Sequence, residues 1–201
     1  TQTVAFINAS HVNGGTIAAN NWDFGNGGTA TSQNAFENYA GSGSYNVQLI
    51  TTSNNGCKDT ILQPLTISPL PTAAFAANNA CFNSMTTFTN VSSVSTGSVI
   101  NCNWQFGDGT ISAATNPAHQ YTSTGSFPVT LIVMSDKNCV NAIMQFVTVN
   151  PLPNVSFTSQ NVCMGAVTNY TNNTSISSGS IAGYSWDFNS DGTADASSQN
   201  V

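Results

Sequence analysis

Three tryptophans, Trp22, Trp104 and Trp186, stand 82 residues apart, and this spacing constrains the chain more than its composition does. The same shift carries Phe6 onto Phe88, Tyr39 onto Tyr121, Gly43 onto Gly125, Cys57 onto Cys139, Phe75 onto Phe157 and Cys81 onto Cys163. It also carries Pro69-Leu70-Pro71 onto Pro151-Leu152-Pro153. A gap-free match over so many landmarks is an internal repeat, so the fold must be one unit made several times.

Boundaries at the Pro-Leu-Pro segments divide the chain into residues 1–68, 69–150 and 151–201. The middle unit is complete, the first lacks its first strand and the third stops past its tryptophan loop. Two accounts of the ends stay open. They are cuts in a longer array, or junctions where neighbouring subunits supply the missing strands.

Within a unit the hydrophobic period is two. In the run Ile100-Asn101-Cys102-Asn103-Trp104-Gln105-Phe106 apolar and polar residues alternate, which sends one face to a core and the other to water. Tyr45-Asn46-Val47-Gln48-Leu49 and Phe127-Pro128-Val129-Thr130-Leu131 read as partner strands. Pro128 cannot donate to a ladder, which predicts an edge strand or a bulge there. Turn signals recur at Gly25-Asn26-Gly27, Gly107-Asp108-Gly109, Ser42-Gly43 and Asn55-Gly56, and no stretch has a helical period. About seven short strands per unit around a buried tryptophan predict an all-β chain of tandem Ig-like β-sandwiches.

Composition removes several functions. Charged residues make up 5% of the chain, with two lysines, no arginine and a net charge of −6. Nucleic acids and anionic membranes are recognised through basic clusters, so neither is an expected partner. No apolar run is long enough to cross a bilayer as a helix, so membrane insertion is not expected either. Ser, Thr and Asn supply more than a third of the residues, as in secreted β proteins. Thr1 is preceded by no basic and apolar leader, so any export signal is expected to be removed or to lie outside this sequence. Paired catalytic carboxylates, a metalloprotease helix motif, a nucleophile elbow and a phosphate loop are all missing, and no enzymatic activity is expected.

The motifs Trp22-Asp23-Phe24-Gly25-Asn26-Gly27 and Trp104-Gln105-Phe106-Gly107-Asp108-Gly109 resemble the signature turn of the PKD (polycystic kidney disease) domain. Asn116-Pro117-Ala118-His119-Gln120-Tyr121, then Gly125, Phe127, Val129 and Leu131, resemble the rest of that signature. The first unit departs from it at Ala35 and Glu37, where the family has Pro and His. The added cysteines and the Pro-x-Pro linker resemble repeats in large surface proteins of Bacteroidota. The resemblance implies an Ig-like sandwich, a structural role for Trp22, Trp104, Trp186 and Tyr121, and for His119 a place at a strand edge, bonded to a loop.

Applying the period to the cysteines leaves Cys81 and Cys139 as the equivalent pair complete within one unit. They are expected to form a disulfide, which would imply an oxidising compartment; the alternative is two free thiols. Cys102 is expected to be a core thiol. In the third unit Asp187, Asn189, Asp191, Thr193 and Asp195 alternate around Gly192 as hard oxygen donors do in calcium loops, so a structural calcium ion is weighed against an Asx-rich turn. Asp59-Thr60-Ile61 resembles the O-glycosylation acceptor of Bacteroidota, which marks Thr60.

These expectations add up to an extracellular or cell-surface array, a semi-rigid stalk or filament whose partners are neighbouring repeats, copies of the same protein or surface glycans. The alternative is a spacer or polymer-binding module of a larger secreted hydrolase.

Overall fold

The computed structural model describes residues 2–201. The described residues contain strands and no helix, so none is long and apolar enough to cross a membrane as a helix. In the first repeat the strands are β1 (Gln2–Phe6), β2 (Ile17–Asp23), β3 (Thr29–Ala30), β4 (Ala35–Tyr39), β5 (Gly43–Ser53) and β6 (Lys58–Ile67). The second holds β7 (Phe75–Ala77), β8 (Ala80–Cys81), β9 (Thr86–Asn90), β10 (Val99–Gln105), β11 (Ile111–Ser112), β12 (Ala118–His119), β13 (Gly125–Ser135) and β14 (Val140–Asn150). In the third, β15 (Phe157–Ser159) pairs with β16 (Tyr170–Asn172).

The first two repeats are each built from two sheets. In the first, β1 pairs with β4, and a four-stranded sheet runs β3-β2-β5-β6. In the second, a three-stranded sheet β12-β9-β7 accompanies a five-stranded sheet β11-β10-β13-β14-β8. The chain is therefore all-β, with tandem Ig-like sandwiches. The period holds at the level of single registers, since Trp22 opposes Ala30 as Trp104 opposes Ser112, and Phe75 opposes Asn90 as Phe157 opposes Asn172.

Alternation sets the core. Along β13 Val129, Leu131 and Val133 are fully buried and alternate with partly covered residues, as one core-facing row requires. In the first repeat Trp22, Phe24, Val47 and Leu49 from one sheet pack with Val4, Phe6, Ala35 and Tyr39 from the other. Each indole N–H is satisfied by a backbone carbonyl: Trp22 by Ser32 at 3.1 Å, Trp104 by Ala114 at 2.9 Å and Trp186 by Ser198 at 2.9 Å. The step from indole to carbonyl grows by two residues in the third repeat. The backbone N–H groups of Asn8, Asn90 and Asn172, bonded to the side chains of Asn34, Asn116 and Asn200, show the same lengthening. The third repeat thus has two extra residues in its turn, absorbed without loss of either anchor.

Pro128 is not on an edge. β13 is central in its sheet. A Cβ on Gly107 would lie 2.8 Å from both the Cδ and the carbonyl oxygen of Pro128, so the nitrogen faces the Gly107 turn and not a ladder partner. The first repeat has the same close approach between Gly25 and Asn46, just beyond the β2–β5 ladder, which ends at Asp23 opposite Gln48. The missing N–H falls where no donor is required, which is why proline is tolerated on a central strand.

Contacts divide the chain into two compact units that do not follow the 82-residue period. The first runs to Ala73 and takes in Ser92–Asn101 and Val133–Asn141; the second holds Ala74–Val91, Cys102–Ile132 and Ala142–Val201.

Candidate functional site

The residues of the signature form one interlocked turn in the second repeat. Gly107 and Gly109 adopt φ of 84° and 93°, which lets the chain reverse after Phe106 with its backbone against Pro128. The reversal presents the Asp108 carboxylate to β12. Asp108 Oδ1 accepts from the Thr110 hydroxyl at 2.6 Å and from its N–H at 3.0 Å, while Oδ2 meets His119 Nε2 at 2.7 Å. The imidazole stacks on Phe106 at 4.3 Å, 8° from parallel, and meets Tyr121 edge-on at 4.6 Å. Tyr121 reaches back to donate its hydroxyl to the Phe106 carbonyl at 3.1 Å.

The electrostatics follow from this packing. Burial pushes the Asp108 carboxyl up, but hydrogen bonds from Thr110 and His119 outweigh it and hold the group below its ordinary value. Burial, helped by the Asp108 charge, raises Tyr121 to about 12. His119 has the Asp108 carboxylate at 2.7 Å, the Thr110 hydroxyl at 3.3 Å, and the rings of Phe106 and Tyr121 around it. The arrangement fastens a turn to a strand.

The first repeat makes the same fastening with the polarity exchanged. Asn26 stands at the Asp108 position and donates its Nδ2 to Glu37 Oε1 at 2.9 Å, where Glu37 replaces His119. Tyr39 repeats the bond of Tyr121, donating to the Phe24 carbonyl at 3.0 Å. The departure at Glu37 is thus one half of a paired exchange, acceptor–donor for donor–acceptor. The signal was present in the sequence, because positions 26/108 and 37/119 change together.

The expectation of a Cys81–Cys139 disulfide does not fit this fold. All five thiols are free. Cys81 pairs with Asn150 at the end of β14, whereas Cys139 precedes the start of that strand. Roughly 35 Å of extended chain separates those two levels, against a Cα separation below about 7 Å in a disulfide. Cys102 is buried, with its Sγ 3.5 Å from the Ala114 carbonyl that also receives the Trp104 indole.

In the third repeat, the oxygens proposed for calcium are occupied by the loop itself. Asp187 accepts from the N–H groups of Asn189 and Gly192, Asp191 from Thr193, Asn189 from Asp191, and Asp195 from Phe188. These bonds lower the Asp187 and Asp191 carboxyls, chiefly through Gly192 and Thr193 respectively. Among the described residues no three acidic, histidine or cysteine side chains are grouped to hold a metal ion. The structure does not bring Asp187, Asn189, Asp191, Thr193 and Asp195 into a ligand shell; it builds consecutive Asx turns. Thr60 is exposed on β6, opposite Ile50, with its N–H bonded to the Asp59 side chain at 2.9 Å.

A cleft of about 970 Å³ opens in the first repeat, with Phe6, Trp22, Val47, Leu49 and Leu65 in its wall. The corresponding strip of the second repeat holds β7, whose Phe75 lies 5.2 Å from Trp104 and 6.3 Å from Phe88. The cleft of the first repeat, lined by polar residues such as Asn8, Thr51, Lys58 and Gln63 as well as by these apolar ones, lies at the equivalent core aromatics.

Comparison with known proteins gives a consistent result. A family model described as PKD domain matches residues 1–69 and 66–150. The chain is 32% identical over 139 residues to the pre-pro-metalloprotease PrtV of Vibrio cholerae serotype O1, strains M66-2 and ATCC 39315 / El Tor Inaba N16961. That alignment covers 68% of this chain and 15% of the relatives, so the chain spans a small part of their length. Among solved structures, the PKD1 domain of Vibrio anguillarum Epp is 26% identical with a TM-score of 0.41, covering 43% of this chain and 100% of that one. The PKD1 domain of V. cholerae PrtV is 32% identical with a TM-score of 0.37, covering 41% of this chain and 98% of that one.

Proposed function

The chain belongs to the PKD domain family, and from that premise we propose that it is a length of an extracellular array, a semi-rigid stalk or filament of tandem sandwiches. PKD domains are non-catalytic modules, and the signature residues here have structural work to do. The observation that carries this reading is the sameness of two chain entries. Thr72 and Ser93 exchange backbone hydrogen bonds of 2.7 and 3.0 Å, and Asn154 and Ser175 exchange bonds of 2.7 and 3.1 Å. Each entry follows a Pro-Leu-Pro segment, and Pro71 is fully buried. Proline fixes φ, so each Pro-Leu-Pro segment narrows the paths by which the chain enters the next repeat. The low charge leaves little repulsion between neighbouring copies and would permit lateral packing into fibres, the setting favoured by the likeness to Bacteroidota surface repeats.

A second reading is favoured by the relatives. These are named as metalloproteases, so the repeats also suit a spacer in a larger secreted enzyme. Electron micrographs of the full-length protein separate the two. Rods or fibres with regular beading support the stalk; a compact catalytic body carrying a short appendage supports the spacer. Particles whose repeats bend freely at every junction would overturn the semi-rigid array.

A further inference from the structure

The cysteines other than Cys102 fall into two periodic sets, and each set has its own end of the repeat. Cys81 and Cys163 close the opening segment of a repeat, while Cys57 and Cys139 close the hairpin turn ahead of its last strand. Cys81 sits beside Asn150, and the next residue, Phe82, donates its N–H to the Asn150 carbonyl at 2.8 Å. Asn150 immediately precedes the Pro151-Leu152-Pro153 linker, so this thiol lies at the downstream end of its repeat. Shifted back by one period, the partner of that position is Ser68, and the cysteine itself falls two residues ahead of Thr1.

Cys139 lies at the opposite end. Two residues after it, Asn141 donates its Nδ2 to the Pro71 carbonyl at 2.8 Å, which sets the hairpin level with the incoming linker. Val133–Asn141 and the chain up to Ala73 belong to one compact unit. β14 and the linker both run onward from this contact. Stepping back two residues along each, about 6–7 Å, brings Cys139 to the level of Pro69. A cysteine placed two residues ahead of Thr1 would by the same period lie beside Ser68, one residue along the array from Cys139 at the level of Pro69. Cys139 is also partly covered, whereas its counterpart Cys57 is exposed.

We propose that the cysteines pair between successive repeats and not within one: the cysteine at the close of each opening segment bonds to the hairpin cysteine of the repeat that follows. The partner of Cys139 is the position two residues before Thr1, and the partner of Cys81 is the hairpin position of the third repeat; both fall outside residues 1–201. Bond formation joins two sulfurs and releases two electrons and two protons to an external disulfide, such as oxidised glutathione, which leaves as two thiols. A repeat bonded in this way is tied to both neighbours across its proline linkers. The proposal rests on the tandem PKD repeat and not on the stalk reading.

The test adds a copy of residues 69–82 ahead of Thr1, which restores the opening strands of the first repeat and places a cysteine two residues before Thr1. After equilibration with oxidised and reduced glutathione, peptide mapping by mass spectrometry under non-reducing conditions should find the added cysteine linked to Cys139 in most of the protein. Cys139→Ser should leave the added cysteine as a free thiol or a glutathione adduct, with the circular dichroism of the chain unchanged. A link from the added cysteine to Cys57, a Cys81–Cys139 link, or free thiols throughout at that redox poise would each overturn the proposal. None of these outcomes touches the PKD assignment, which the β-sheet spectrum of the same sample reads separately.

Discussion

Substituting Gly107 by alanine separates two physical effects that the signature turn combines. Gly107 holds φ at 84°, and a Cβ there would lie 2.8–2.9 Å from the Cδ, oxygen and nitrogen of Pro128. Gly109 holds φ at 93°, and a Cβ there would meet nothing within 4 Å. Placing an L-residue in the left-handed region costs about 1–2 kcal/mol, and Gly109→Ala should show that cost alone. Gly107→Ala adds the overlap with Pro128. Two of the three close atoms belong to backbone on a central strand, so relief requires β13 to shift, at about 1–3 kcal/mol more. The total for Gly107→Ala is then about 2–5 kcal/mol. Unfolding of a multi-repeat chain is not a single transition, so the reading should be local. Amide hydrogen exchange of Val129–Leu131, followed by mass spectrometry in the full chain, reports the opening of the second repeat directly. At about 1.4 kcal/mol per tenfold, Gly109→Ala should speed exchange roughly tenfold and Gly107→Ala a further ~5- to 100-fold. Equal acceleration by the two substitutions would refute the argument, since it would mean that Pro128 yields freely and that only φ selects glycine.

Three further outcomes follow from the same repeat. Thr86 is fully buried and its hydroxyl has no partner among the described residues, while the first repeat has Val4 at that position; Thr86→Val should stabilise the second repeat by about 1 kcal/mol, read as slower exchange of β9 amides. Tyr121→Phe removes the donor to the buried Phe106 carbonyl and should destabilise by about 1–3 kcal/mol, and alkaline titration of the parent should show one tyrosine ionising near pH 12. The Asp108 carboxyl is depressed in the folded state, so its contribution is present above its ordinary value of 3.8 and is lost as pH falls through the lower folded value. Asp108→Asn should flatten that part of the acid unfolding curve, and adding His119→Glu, to copy Asn26–Glu37, should recover part of the stability at neutral pH that either single change loses.

The parts of the fold legible in the sequence were those that repeat. Trp22 and Trp104 each announced an inner strand, Trp186 makes only an isolated bridge to Ala196, and the turn glycines marked the reversals, because backbone geometry at such positions admits few residues. Pro128 was misplaced because a single strand does not say where its neighbour ends; the proline is tolerated only since β10 stops short of it and Gly107 takes up the space. The Cys81–Cys139 pairing failed for a related reason. Periodicity shows which residues are equivalent, but not at which end of a sandwich each one lies, and that depends on the parallel register of β8 against β14. The third-repeat loop was read as a row of oxygen donors, yet at i, i+2 spacing such oxygens are also within reach of the loop's own N–H groups, and those take them.

The exchange of Asp108–His119 for Asn26–Glu37 bears on what the signature is for. If the imidazole were held for chemistry, a repeat that replaces it with a carboxylate would lose the group that acts. What both repeats keep is a short side-chain hydrogen bond from the turn to the facing strand, at 2.7 Å in one and 2.9 Å in the other, beneath which a tyrosine closes onto the carbonyl of the turn phenylalanine. Geometry is preserved while charge and donor direction are free to reverse. Selection on shape with freedom of chemistry suits a module whose task is to hold a fixed form from one repeat to the next. It also directs the search for recognition away from these turns, toward the outward faces of the strands and the ends where repeats meet.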